Sequence, residues 1–215
     1  IKPLSVYSLA LEKGALTPAS VIDDYPLEYD AEKERAWPKN AYSGYKGLVT
    51  LQYALQQSSN TCAVRTLELV GINDSFQWMT ENLGFTTLVA ADKDRGPLGL
   101  GGLTRGVNTA EMAAAYATFA NNGIYNTPRT FTKVVDKNEQ VVLENNTESW
   151  AAMKEETVYM MNDLLKQVVS SGTGTSANFS GMTIAGKTGT TSNNYDRYFV
   201  GYTPYYCAAV WIGYD

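Results

Sequence analysis

Histidine is absent from this sequence. That absence removes Ser-His-Asp and Cys-His catalysis within the chain, and the H-E-x-x-H metal sites with them. A nucleophile here must be activated by lysine or a carboxylate. Cysteine is scarce: Cys62 and Cys207 are too few for a disulfide scaffold or a zinc cluster, and read as ordinary buried thiols. No metal or other cofactor is expected. No apolar run approaches the roughly 18 residues of a membrane-span candidate. Positive charge is in deficit, with 17 Lys and Arg against 22 Asp and Glu and a net charge of -5. That balance argues against a nucleic-acid partner, because such proteins usually show a basic face. The first residue is Ile1 and no signal peptide is visible. The chain is therefore expected to be a fragment, with any export signal or anchor upstream.

What is present describes a folded domain. The chain has 215 residues, 44% hydrophobic and 18% charged, enough to bury a real core. Pro3 to Lys13 reads as a helix stopped by Gly14. Thr17 to Asn40, with three prolines and scattered charges, reads as loop. Leu48, Leu51 and Leu55 predict an amphipathic helix from Gly47. Further helices are expected over Asn60–Val70 and Asp74–Leu83, and the glycine-rich Gly96–Gly106 reads as loop. Asn108 and Glu111 form an N-cap and N3 pair before a small-residue helix ending near Gly123. "FTKVV" and "QVVLE" around Asp136–Glu139 predict a hairpin. Val158, Met161, Leu165 and Val168 share one face of another helix. Three strand-like runs close the chain, near Met182–Thr190, Arg197–Tyr202 and Tyr206–Gly213, and suggest an antiparallel meander. Helices followed by a terminal antiparallel sheet make the class α+β.

One stretch carries an ambiguity. In "SGMTIAGKTGTTSNN", Gly181, Gly186, Lys187 and Thr188 spell the G-x-x-x-x-G-K-T of a phosphate loop. Such a loop must follow a strand and open a helix, whose N-terminus supplies N–H groups to the phosphates. Here the intervening residues are strand-like, and turn residues follow. The alternative is a strand presenting an ammonium, a hydroxyl and, at Gly189, an unobstructed backbone to a substrate. That reading needs partners elsewhere. Ser58-x-Asn60 supplies an S-x-N pair, although both residue types favour helix caps. Lys2-Pro3 opens the first helix.

Lys2, Ser58-x-Asn60 and Lys187-Thr188-Gly189, in that order, resemble the motifs of the penicillin-binding proteins, the serine D,D-transpeptidases: S-x-x-K, S-x-N and K-T-G. "KPLSVYSLALEKGALTPAS" resembles the helix that carries the first motif and the loop after it, and "GGLTRGVNTAEMAAAYATFANNG" is similar to a segment typical of the class A bifunctional type. "AGKTGTT", "RYFVGYTP" and "AAVWIGYD" resemble the three sheet strands that end the domain. The resemblance covers essentially the whole chain and implies a penicillin-binding/serine β-lactamase-like fold, with an antiparallel sheet flanked by helices and an all-helical subregion. One departure stands out. The S-x-x-K serine would precede Lys2 by three positions, before Ile1. Residues 1–215 are therefore expected to be a partial transpeptidase domain, inactive alone, whose missing N-terminal segment carries the nucleophile.

The resemblance further implies the chemistry. The serine would attack a D-alanyl-D-alanine stem peptide of peptidoglycan, and a second stem peptide's amine would resolve the acyl-enzyme into a cross-link. Lys2 would be the general base, its ordinary pKa near 10.4 depressed by burial and by Lys187. Ser58 would relay a proton, and Asn60 would bind the substrate backbone. Lys187 would add positive potential, with Thr188 and Thr190 on the substrate carboxylate. Gly189 would keep the strand open, and the Thr190 N–H would donate to the oxyanion. β-Lactams would acylate the site. The implied location is the outer face of the bacterial cytoplasmic membrane, anchored by a segment outside this chain. A glycosyltransferase domain is implied by the class A likeness only. A β-lactam sensor, a β-lactamase of the same fold and a phosphate-loop nucleotide binder are the alternatives.

Overall fold

The computed structural model describes residues 1–32, 35–191 and 194–214. The chain opens with a wide π-type turn over Pro3–Tyr7 that runs into helix α1 (Ser8–Glu12), and Gly14 at φ +65° ends it. This helix is buried from Ser8 to Leu11 and packs within the core. Three short strands follow: β1 (Val21–Asp24), β2 (Glu28–Asp30) and β3 (Arg35–Trp37). The loop expected over Thr17–Asn40 is therefore partly strand. Its signal is hidden because the inward positions of β1 are Ile22 and Asp24, so a carboxylate occupies a place where alternation calls for an apolar side chain.

The helix expected from Gly47 also starts differently. Gly47–Thr50 is strand β4, antiparallel to β1, and α2 covers only Leu51–Gln56. The Thr50 hydroxyl accepts from the Tyr53 N–H at 3.2 Å and so fixes the helix start. Leu48 consequently lies on the strand and is exposed, while Leu51 and Leu55 are fully buried. Helix α3 (Asn60–Val70) agrees with expectation, and α4 (Ile72–Gln77) continues into a second wide turn over Trp78–Asn82.

The glycine-rich segment contains a helix, α5 (Arg95–Leu100), not only loop. Asp94 caps its start, and Gly101 ends it at φ +98°. A Cβ on Gly99 would lie 3.3 Å from Val64 Cγ2, so glycine here lets α5 press against α3. Helix α6 (Thr109–Ala120) begins where Asn108 Oδ1 accepts from the Glu111 N–H at 2.8 Å. The Glu111 carboxylate does not reach back to complete a capping box. It turns to the Thr86 N–H and the Thr86 and Thr87 hydroxyls instead.

Strands β5 (Ile124–Asn126) and β8 (Ser149–Ala151) pair around the hairpin of β6 (Lys133–Val135) and β7 (Val141–Glu144). Helix α7 (Glu155–Ser171) buries Val158, Met161, Leu165 and Val168 on one face. Each such burial contributes about 1.5–3 kcal/mol, more than the few tenths that β-branched residues cost a helix. The Glu12 carboxylate anchors the start of α7, accepting from the Lys154 N–H at 3.0 Å and the Thr157 hydroxyl at 2.6 Å.

The closing meander is β9 (Ala185–Thr190), β10 (Asp196–Tyr202) and β11 (Cys207–Gly213), antiparallel in the order β11-β10-β9. Lys187, Val200 and Ala209 share one face, with Ala185, Tyr202 and Cys207 one row along. The Tyr202 ring packs 6.3 Å from Phe119 and 6.5 Å from Tyr116, which fixes this face against α6. The architecture is the expected α+β arrangement of an antiparallel sheet flanked by helices. Ser192 and Asn193, in the expected turn after β9, lie outside the described residues.

Candidate active site

The fold brings Lys2, Ser58 and Asn60 into direct contact, although they are far apart in sequence. Lys2 sits at the head of the first turn and is only 7% exposed. Its Nζ donates to the Ser58 carbonyl at 2.7 Å and to Asn60 Oδ1 at 2.5 Å, and lies 3.2 Å from Ser58 Oγ. Asn60 Nδ2 donates to the Lys39 carbonyl at 2.6 Å, which sets which end of the amide faces Lys2. The α2–α3 connection that carries these residues is strained. Ser58 has φ +58°, a left-handed backbone that costs a non-glycine residue about 1–2 kcal/mol. Helix capping falls to Ser59, whose hydroxyl accepts from the Cys62 N–H at 3.2 Å. Ser58 and Asn60 are thereby left to Lys2.

Lys187 lies in the middle of β9 and is 4% exposed. Among the described residues its Nζ has one hydrogen-bond partner, the Thr188 carbonyl at 2.9 Å. Burial drives its pKa from 10.5 down to about 7. Burial likewise holds Lys2 well below 10.5, and the charge of Lys187 lowers it further. Two buried ammonium groups so close cannot both hold their protons cheaply. Lys2 Nζ directs hydrogen bonds to two carbonyl-type oxygens, and it also donates to the Ser58 hydroxyl at the longer distance of 3.2 Å.

Strand β9 is an edge of its sheet. The Thr191 N–H bonds back to the Asp196 carbonyl on the β10 side. Alternation along an antiparallel ladder then points the Thr190 and Thr188 N–H groups to the open edge. Gly186, Lys187 and Thr188 lie within this strand, and β10 follows, so the phosphate-loop spacing leads to no helix N-terminus. The two glycines around Lys187 differ. A Cβ on Gly186 would lie 2.8 Å from the Val200 carbonyl, so packing demands that glycine. A Cβ on Gly189 would meet only Tyr198 Cβ at 3.5 Å, an ordinary contact. Gly189 and Thr190 border a cleft of about 440 Å³, also lined by Ile1, Gly101, Asn108 and Trp211. This cleft lies beside the Lys2–Ser58–Asn60 cluster and is not lined by it.

Sequence reasoning missed several neighbours. Thr173 places its hydroxyl 2.8 Å from that of Thr188, and its N–H bonds to the Gln56 carbonyl, so the loop after α7 bridges β9 and α2. Asp24, Asn40 and Lys39 support the Ser58–Asn60 turn from a segment read as featureless loop. Their motif-free surroundings hold no local signal. Among the described residues no group of three His, Cys, Asp or Glu side chains gathers to hold a metal ion, and no helix is long and apolar enough to cross a membrane.

Comparison with known proteins shows the family. The family described as penicillin binding protein transpeptidase domain matches residues 1–215. Penicillin-binding protein 1A of Clostridium acetobutylicum is 41% identical over 222 residues, spanning 100% of this chain and 27% of the relative. The chain thus corresponds to about a quarter of that protein's length. Among solved structures, penicillin-binding protein 1A from Haemophilus influenzae superposes with a TM-score of 0.81 at 24% identity, covering 100% of this chain and 37% of the other. The imipenem acyl-enzyme complex of penicillin-binding protein A from M. tuberculosis gives 0.77 at 19% identity, covering 99% and 53%. These two likenesses concern the fold, while the family match and the clostridial relative concern descent, and on them the chain belongs to the penicillin-binding protein transpeptidase family.

Proposed function

We propose that this chain supplies the base and the substrate-binding strand of a peptidoglycan D,D-transpeptidase that works through a serine acyl-enzyme. The observation that carries the proposal is the Lys2 amine, buried, held below its ordinary pKa, and wedged between Ser58 and Asn60. A serine on the preceding helical turn, three positions before Lys2, would place its hydroxyl on the same helix face as that amine. That position lies outside the sequence, so the tests below use a protein extended upstream through the S-x-x-K serine.

In this reading neutral Lys2 takes the serine proton as the hydroxyl attacks the carbonyl of the penultimate D-alanine. Ser58, at 3.2 Å, relays a proton to the departing D-alanine amine. The Asn60 amide meets the substrate backbone. Lys187, with Thr188 and Thr190, receives the terminal carboxylate, whose charge restores the ammonium that burial disfavours. The Thr190 N–H on the open edge donates to the oxyanion. Gly189, whose absent side chain the fold itself does not require, leaves the strand clear for an incoming backbone. An amine from a neighbouring stem peptide completes the cross-link, and water in its place gives carboxypeptidase activity. The same attack opens β-lactams. The working location is the outer face of the cytoplasmic membrane, through a segment outside this chain.

Fluorescent penicillin tests the reading. The extended protein is expected to be labelled covalently and durably, and to join a D-alanyl-D-alanine donor to an amine acceptor. Labelling without cross-linking identifies a sensor, and rapid loss of label identifies a β-lactamase. Absence of label together with ATP binding overturns the proposal.

A further inference from the structure

Asp24 is an ionisable group that touches the Ser58–Asn60 turn through Ser59, and it makes no hydrogen bond to Lys2. It ends β1 in register with Gly47 and is 0% exposed. Its Oδ1 accepts from Asn40 Nδ2 at 2.7 Å, from Ser59 Oγ at 3.2 Å, and from the Thr61 hydroxyl in a short bond. Its Oδ2 accepts from the Tyr42 hydroxyl and the Lys46 N–H, each at 2.8 Å. Burial alone would raise its pKa, but the donors from Thr61, Asn40, Tyr42 and Lys46 outweigh it and hold the carboxyl below 3.8. All of these donors are neutral.

A buried carboxylate without a cation is costly, by several kcal/mol before its hydrogen bonds offset the loss. A neutral side chain of this size could not replace it, because only an ionised carboxylate accepts this many bonds at once. What the carboxylate joins is specific. Asn40, held by Asp24, accepts the Asn60 N–H on its own Oδ1 at 2.8 Å. The neighbouring Lys39 carbonyl orients the Asn60 amide towards Lys2. Ser59, also held by Asp24, immediately follows the strained Ser58 and caps α3. The left-handed Ser58 is thus bracketed by a residue that Asp24 fixes, as a sparsely populated backbone requires.

We propose that Asp24 is a positioning residue for the transpeptidase reaction: through Asn40, Ser59 and Thr61 its buried carboxylate sets the Ser58–Asn60 turn that holds Lys2. The proposal rests on the roles given above to Lys2, Ser58 and Asn60. Asp24 touches none of the groups that meet substrate, so its effect falls on how fast the bound ligand reacts, not on how tightly it binds.

Glu111 supplies a matched control. It is a buried carboxylate that accepts only neutral donors, and it ties Thr86 and Thr87 to α6, with no contact to Lys2 or the Ser58–Asn60 turn. Asp24→Asn, Asn40→Ala and Glu111→Gln are made in the extended protein. Each is assayed with fluorescent penicillin at the same interval below its own melting temperature. Asp24→Asn and Asn40→Ala are expected to lower the limiting acylation rate at least 30-fold, with less than threefold change in the ligand dissociation constant. Glu111→Gln is expected to stay within threefold on both. If Asp24→Asn fails to fold, Asn40→Ala, a half-buried residue, carries the test. Equal losses in all three variants, or a loss confined to ligand affinity, overturn the proposal and leave Asp24 a fold-stabilising group. Wild-type protein that takes no label at all defeats the transpeptidase reading instead, and this role of Asp24 with it.

Discussion

Asp24 and Lys187 are both withdrawn from solvent, yet one is saturated with partners and the other is nearly bare. The carboxylate receives five hydrogen bonds from four side chains and one backbone N–H. The ammonium, among the described residues, donates to a single carbonyl of its own strand. Their ionisation follows: Asp24 stays charged below its usual pKa, whereas Lys187 is pushed down to about 7. A buried charge with every lone pair occupied has nothing left to offer a ligand, and its work is to hold the fold. A buried cation left short of partners is unstable by itself and is completed by an anion that binds beside it. The surface offers a third case. Arg95 bridges Glu28 and Glu68 over the Trp37 ring, but solvent-exposed pairs of this kind contribute only about 0–1 kcal/mol.

The contrast can be broken most severely at Lys2. Lys2→Met in the extended protein is expected to slow acylation by about 10²–10⁴-fold, the usual contribution of a positioned general base. A rate within tenfold of wild type, in a stopped-flow measurement with fluorescent penicillin, would remove Lys2 from that role.

Lys187→Met sharpens the comparison because function and stability should move in opposite directions. Acylation is expected to fall at least tenfold, about 1.4 kcal/mol of barrier. Stability is expected to rise, and the sign of its pH dependence follows from the depressed pKa. Below about pH 7 Lys187 is protonated in both the folded and unfolded states, so the folded state carries the full cost of the buried charge. Between about 7 and 10.5 the unfolded state still binds the proton and the folded state does not, so wild-type stability climbs with pH. The advantage of the Met variant should therefore be greatest below pH 7 and shrink towards pH 10. Thermal melts across that range would show it, and a gain that grows with pH contradicts the assignment.

The smallest effect is expected at Ser58→Gly. Glycine accepts φ +58° without penalty but loses more entropy on folding, so the net change in stability should stay within about 1 kcal/mol. Slower acylation with an unchanged urea midpoint would separate the hydroxyl's chemistry from the turn's conformation. A midpoint that falls steeply would show that the hydroxyl supports the fold.

Legibility in the sequence followed the range of the interactions. Helix α7, with its 3.6-residue apolar stripe, and the closing meander were readable because each pattern repeats locally. So was the start of α6, where Asn108 stands beside the backbone it caps. Strand β1 was not readable, because its inward Asp24 breaks the alternation and is satisfied only by distant donors, from Asn40, Tyr42, Ser59, Thr61 and the Lys46 N–H. Helix α5 was concealed by its glycines, of which Gly99 serves close packing against Val64, a contact no window of its own sequence contains. The Leu48-Leu51-Leu55 spacing misled because Thr50 starts the helix between the first two.

The sequence by itself determined the absence of histidine chemistry, the α+β class, and the ordered set of Lys2, Ser58-x-Asn60 and Lys187-Thr188-Gly189 that marks the family. It also carried the pattern that resembles a phosphate loop. Only the tertiary structure decided that Gly186-Lys187-Thr188 lies inside an edge strand, that Lys2 and Lys187 are both buried, and that Asp24 hydrogen-bonds to Ser59 within the turn that holds Lys2. The physical reason is that burial and long-range hydrogen bonds shift a side chain's charge and freedom by several kcal/mol. Those terms exist only once distant segments of the chain have packed together.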